Sequence, residues 1–185
     1  VAHVDIDKEW RTDVVRDASN ARRKRLPVAV LSAEAVPDTF DARISATRRY
    51  YIYRILDRRA QPALDANRVW HVPVRLDHEA MDRAAKALIG HHDFTTFRAA
   101  ECQANSPLRT LDRFDCRREG AEIVAYVHAR SFLHHQVRSM VGCLKMVGMG
   151  RWPENKVGKV LAARDRSQCA ALAPPCGLYL AGVDY

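Results

Sequence analysis

Basic side chains interrupt an apolar run between Ser131 and Gly150, S-F-L-H-H-Q-V-R-S-M-V-G-C-L-K-M-V-G-M-G. Leu133, Val137, Met140, Val141, Leu144 and Val147 recur at helical spacing and form one apolar stripe. Beside it lie His134, His135, Arg138 and Lys145. A buried helix has no packing reason to set an arginine and two histidines at its apolar edge. Such a set suits an anionic group brought from outside or a partner carboxylate, or else a solvated basic face; the pattern leaves both open. Two other places could carry chemistry: Tyr51, within R-R-Y-Y-I-Y-R-I-L from Arg48 to Leu56, and the triplet Arg11-Thr12-Asp13. Alternation puts Arg49, Tyr51, Tyr53 and Ile55 on one strand face, with Tyr50, Ile52 and Arg54 on the other. Aromatic residues at spacing two between arginines can stack on bases, and they are equally ordinary strand filler. His128, His134 and His135 raise the question of a metal. Neighbouring histidines on a helix diverge by about 100°, however, so no metal site is expected. Glycine-rich phosphate loops, nucleophile elbows and dinucleotide fingerprints are absent from the sequence.

The elements that must position these residues are legible from period and punctuation. Ser131 stands where an N-cap would stand for the central helix, and Gly148 and Gly150 supply its stop. Val1 to Asp7 alternates as a strand, and Lys8 to Lys24 reads as a charged helix. That helix runs into Arg22-Arg23-Lys24-Arg25, either a solvated helix end or a phosphate contact. After Pro27, strands are expected over Val28 to Val36, Arg48 to Leu56 and Arg68 to Val74. Asp77 caps a helix from His78 to Ile89, with Gly90 as its stop. Leu108 to Arg117 and Ala121 to Ala129 read as a hairpin, followed by the central helix, a helix from Pro153 to Ala163, and a last strand from Gly177 to Tyr185. That order predicts an α+β fold with helices packed on a largely antiparallel sheet.

The 185 residues suit one large domain or one and a half small ones, and 48% hydrophobic residues suffice for a core. Every apolar run falls short of a membrane span. Five scattered cysteines without a C-x-x-C pair argue against a zinc site or a disulfide framework and favour a reducing, cytoplasmic setting. A net charge of +8 favours a polyanionic partner, nucleic acid first. The opening Val-Ala-His-Val-Asp, without methionine, reads as a fragment whose first part is missing.

Four ordered motifs then resemble the TruA family of tRNA pseudouridine synthases: F-D-A-R-I-S-A-T-R-R-Y-Y-I-Y (Phe40 to Tyr53), H-D-F-T-T-F-R (His92 to Arg98), S-F-L-H-H-Q-V-R-S-M-V-G (Ser131 to Gly142) and G-L-Y-L-A-G-V-D-Y (Gly177 to Tyr185). The resemblance implies an isomerase, without cofactor or metal, converting uridine to pseudouridine at positions 38–40 of the tRNA anticodon stem-loop. It implies a homodimer with one tRNA contacting both subunits, and two ferredoxin-like units. Residues 1–57 would be the remainder of the first and 58–185 the whole of the second. Tyr51 matches the tyrosine that stacks on the target base, and Arg138 the arginine that pairs with the catalytic aspartate. Leu178 and Leu180 would wall the base pocket, while Phe132 and Leu133 pack the core. Arg22, Arg23, Arg48, Arg49, His134 and His135 are the expected RNA contacts. The aspartate itself lies, in the family, in a G-R-T-D-A-G-V-H-A segment just before the strand that Val1 to Asp7 matches. Arg11-Thr12-Asp13 copies three of those letters on the wrong side of that strand, so Asp13 reads as a decoy and the fragment alone as inactive. A non-catalytic basic RNA-binding module is the alternative, and a structural core with no RNA role the third reading.

Overall fold

The aromatic stretch becomes β1, Arg48–Leu56, and the sheet is assembled around it. The computed structural model describes residues 1–23 and 26–185. On one side β1 pairs antiparallel with β5 (Glu122–Ala129), from Arg49 opposite Ala129 to Leu56 opposite Glu122. On the other side it pairs antiparallel with β6 (Leu178–Asp184) and parallel with the short β2 (Trp70–His71). β5 continues antiparallel to β4 (Leu108–Glu119), and β4 to β3 (Gly90–Asp93). The result is a mixed, mostly antiparallel six-stranded sheet, as the α+β pattern predicts. Gly120, at φ +59, makes the tight β4–β5 turn that a side chain would strain.

The predicted alternation of β1 decides where the core sits. Tyr53 and Ile55 are fully buried with Phe114, Ile123 and Val127, whereas Ile52 and Arg54 on the opposite face are half-buried. Three helices complete that core: α2 (His78–Ala85), α3 (Gln136–Gly148) and α4 (Lys156–Ala163), contributing Met81, Met140, Leu144, Val157 and Val160. Each such side chain contributes roughly 1.5–3 kcal/mol on removal from water. The Asp77 carboxylate caps α2 by accepting from the Ala80 N–H at 2.9 Å. The helix tightens into a 3-10 turn at Lys86–Leu88 before Gly90. Asp57 is buried where β1 ends. It accepts both arms of Arg118 at 2.8 Å and the Leu76 N–H at 2.9 Å. Among the described residues no helix is long and apolar enough to cross a membrane.

The chain divides into two compact units, Val1–Ala46 and Thr47–Tyr185. The division falls ahead of the break expected after Asp57, because strands of the second unit hold β1 on both edges. Within Val1–Ala46 the single regular element among the described residues is α1, Thr12–Arg22, which starts later than the helix expected from Lys8; the expected end at Lys24 lies outside the described residues. Val1 to Asp7 and Val28 to Val36 form no strand among the described residues. Alternation specifies a strand only when a neighbouring backbone completes its hydrogen bonds. At Val30 a side chain takes that place: the Asn20 amide donates to Val30 C=O at 2.9 Å and accepts its N–H at 2.8 Å. Arg68 to Val74 contracts to β2, and the polar β3 forms where sequence alone gives no strand period.

Candidate active site

α3 begins at Gln136, later than Ser131. His135 occupies the N-cap in the left-handed conformation, φ +62, and the Gln136 side-chain oxygen accepts the Leu133 N–H at 2.8 Å. Ser131 to His135 is therefore a loop folded back on the helix start, and Ser131 is not its cap. This corrects the geometry of the histidines, whose expected divergence assumed a helix. Their rings stack at 3.9 Å between centroids, and both Nδ1 atoms face Glu101 Oε1, at 3.7 and 4.0 Å. Glu101, His134 and His135 bring three ligand-capable atoms within 4.8 Å of one another, at the surface. Burial, then the neighbouring His134 and Arg138, pull the His135 pKa below its ordinary value, so its ring is neutral near pH 7. His128 stands apart on the opposite sheet face, where its ring meets Tyr50 edge-on at 4.6 Å.

Arg138 sits in the first turn of α3, half-buried. Its Nε donates to Ala173 C=O at 2.7 Å, and the Ala173 N–H returns a bond to Arg138 C=O at 3.3 Å. No carboxylate among the described residues pairs with its guanidinium, so the two Nη groups of a clamped fork stay available for a bidentate anion. The loop-to-helix contact that supplies Ala173 is exceptionally close. A Cβ on Gly142 would stand 2.2 Å from Ala171 O, so α3 needs glycine there. The same segment is pinned from the sheet by Tyr53, whose hydroxyl donates to Pro174 C=O at 2.6 Å. Burial pushes the Tyr53 phenol well above its usual range, against the lowering influence of Arg138, so it remains a proton donor.

Tyr51 lies next to Tyr53 on the same face and is half-buried, its ring edge-on to Phe132 at 5.2 Å. Directly across on β6 stands Leu180, with Leu178 opposite Tyr53. Leu180 is 51% exposed, and Leu178 packs partly against the core, so the pair forms an apolar wall beside the tyrosine. A phenol face, two leucines and a clamped guanidinium can hold a flat polar ring and orient one anionic group beside it.

The remaining expected contacts separate. Arg49 shares the face of Tyr51 and donates to Arg130 C=O. Arg48 projects from the other face and pairs with Asp112 at 3.4 Å. Arg22 and Arg23 are exposed at the end of α1 in the unit Val1–Ala46, while Lys24 and Arg25 lie outside the described residues. Asp13 is already satisfied by Arg11 at 2.7 and 3.2 Å. Sequence reasoning missed Tyr53 and the Ala173–Pro174 carbonyls. The Y-x-Y spacing signalled the former; nothing local signalled the latter.

A family model described as tRNA pseudouridine synthase matches residues 84–185. A protein of Xanthobacter autotrophicus named tRNA pseudouridine synthase A is 58% identical over 185 residues, covering 100% of this chain and 76% of that relative. One of the same name from Methylobacterium sp. (strain 4-46) is 60% identical, covering 100% of this chain and 74% of its own length. The Bartonella henselae protein of that name is 54% identical over 187 residues, covering 100% and 76% respectively.

Proposed function

This chain belongs to the tRNA pseudouridine synthase family, and we propose that it supplies the pocket wall and the cationic partner for isomerising uridines 38–40 in the tRNA anticodon stem-loop. The observation that carries this reading is Arg138, clamped through Nε to Ala173 with no carboxylate partner among the described residues, on the sheet face that presents Tyr51, Leu178 and Leu180. In the reaction the bond from N1 to C1′ breaks, the base turns, C5 joins C1′, the C5 proton leaves and N1 takes up a proton, so that product and substrate are isomers. Tyr51 stacks on the flipped base and its hydroxyl lies near C5; Leu178 and Leu180 shield the ring from water. Arg138 fixes the nucleophilic aspartate that the family carries in its G-R-T-D segment. Flipping the base is least costly in a loop or at a stem end, which suits this substrate.

Arg49, His134 and His135 contact the RNA backbone, and Arg48, Arg22 and Arg23 extend the basic surface. The working form is a cytoplasmic homodimer with one tRNA touching both subunits. Asp13 is no substitute for the nucleophile, since it is paired on an exposed helix, so these 185 residues alone are inactive.

Tritium release from tRNA carrying 5-tritiated uridine tests this reading. The chain alone should release none, whereas the chain preceded by the family's G-R-T-D-A-G-V-H-A region should release tritium and form pseudouridine. Release by the chain alone would overturn the assignment of the missing nucleophile. Salt-dependent tRNA binding by the longer chain without product would leave a non-catalytic RNA-binding module instead.

A further inference from the structure

Cys143 and Cys169 bring their sulfurs to 3.6 Å across the seam between α3 and the segment that clamps Arg138. The other three cysteines are engaged elsewhere: Cys102 Sγ accepts the His134 N–H, Cys176 Sγ donates to Val69 C=O, and Cys116 is buried on β4. Cys143 is fully buried on a rigid helix, while Cys169 is half-buried at the end of the 3-10 turn Arg166–Gln168. A disulfide needs sulfurs about 2.05 Å apart, so the gap closes by about 1.5 Å, a shift that a side-chain rotation and a loop can supply.

The surroundings favour attack by Cys169. The Arg166 guanidinium is fixed beside it, donating to Ser139 Oγ at 2.9 Å and Thr96 C=O at 3.2 Å. Sharing a proton with Cys143, against the cost of burial and aided by the Arg166 cation, lowers the Cys169 thiol below its ordinary value; the same sharing, with burial, raises Cys143. The Ala170 N–H donates to Cys143 Sγ at 3.4 Å, so the segment is already docked on the buried sulfur.

We propose that Cys143 and Cys169 are a reversible redox pair, and that their disulfide staples the Arg166–Gly177 segment onto α3 and fixes the carbonyl clamp of Arg138. The oxidant is a small-molecule disulfide, RSSR. The Cys169 thiolate attacks one of its sulfurs and expels RS⁻, leaving a mixed disulfide. Cys143 then loses its proton and attacks the Cys169 sulfur, expelling the second RS⁻. The protein gives up two electrons and two protons, and RSSR becomes two RSH. Five scattered cysteines offered no such pair in sequence, since these two are 26 residues apart. The inference stands on the seam alone and does not depend on the proposed catalytic role.

The test is to equilibrate the chain with oxidised or reduced glutathione. Oxidation should remove about 2 Da and yield a peptide linking residues 143 and 169. The melting temperature should rise by about 5 °C or more, and exchange of the Ala173 amide should slow about tenfold, both reversed by a dithiol. Cys169→Ser and Cys143→Ala should each abolish the link and the shifts, while Cys102→Ser and Cys176→Ser keep them. A glutathione adduct persisting on Cys169 without an internal bond, a link involving another cysteine, or a link that leaves Ala173 exchange unchanged would overturn the proposal.

Discussion

α1 and α3 both carry an acid or base that sequence marks as chemical, and they differ in what holds that group. α1 buries no residue, and its Asp13 is tied to Arg11 at the surface. α3 buries ten residues, including Met140, Cys143 and Leu144, and its Arg138 is fixed by a carbonyl from another part of the chain. Three matching letters at Arg11-Thr12-Asp13 therefore carry less than one arginine with its position over-determined. A catalytic group needs a fixed place more than a particular neighbour in sequence, because orientation is what converts a side chain into a reagent.

The sharpest way to break that contrast is to mutate both charges in the chain extended by the family's G-R-T-D region. Arg138→Ala should lower the single-turnover rate of pseudouridine formation by about 10²–10³-fold, the usual cost of one preorganised electrostatic partner. Asp13→Asn should leave it within about twofold. A comparable loss from Asp13→Asn would erase the distinction.

Stability should follow the same division. Leu144→Ala opens a cavity in the core and should cost about 3 kcal/mol in urea unfolding of the unit Thr47–Tyr185 within the whole chain. Val14→Ala, on a side chain 40% exposed, should cost no more than about 0.5 kcal/mol.

A smaller difference should appear in acid. Burial raises Asp57, but Arg118 and the Leu76 N–H outweigh it and hold the carboxyl below its usual value. Asp115, likewise desolvated, is pulled down to about 2 by Lys86 and Arg113. Both are depressed on folding, so their stabilisation is complete above about pH 4 and is lost as pH falls through the folded values, near 2 for Asp115. Melting temperature between pH 6 and 2 should fall less steeply in Asp115→Asn. Asp17→Asn should not alter the slope, because its pair with Arg16 on α1 is exposed and screened.

Local signals went far in the second unit. The alternation of Arg48 to Leu56 predicts which tyrosines share a face, Asp77 predicts a cap, and the stripe through Val137, Met140 and Leu144 predicts the buried face of α3. They failed where a neighbour had to be present: Val1 to Asp7 alternates without a pairing strand among the described residues, and β3 exists because β4 accepts it. They failed also at Ser131, since a left-handed His135 and the Gln136–Leu133 bond, rather than a serine cap, start α3.

The sequence by itself determined the fold class, the family resemblance and the identities of Tyr51 and Arg138 as groups worth following, because period, punctuation and motif are written over short spans. Only the tertiary structure decided what holds them. The Ala173 carbonyl that clamps Arg138 lies 35 residues along the chain, and the Pro174 carbonyl that receives Tyr53 lies 121 away. Such contacts depend on two segments reaching the same place at once, and backbone carbonyls carry no residue-type signal to announce them.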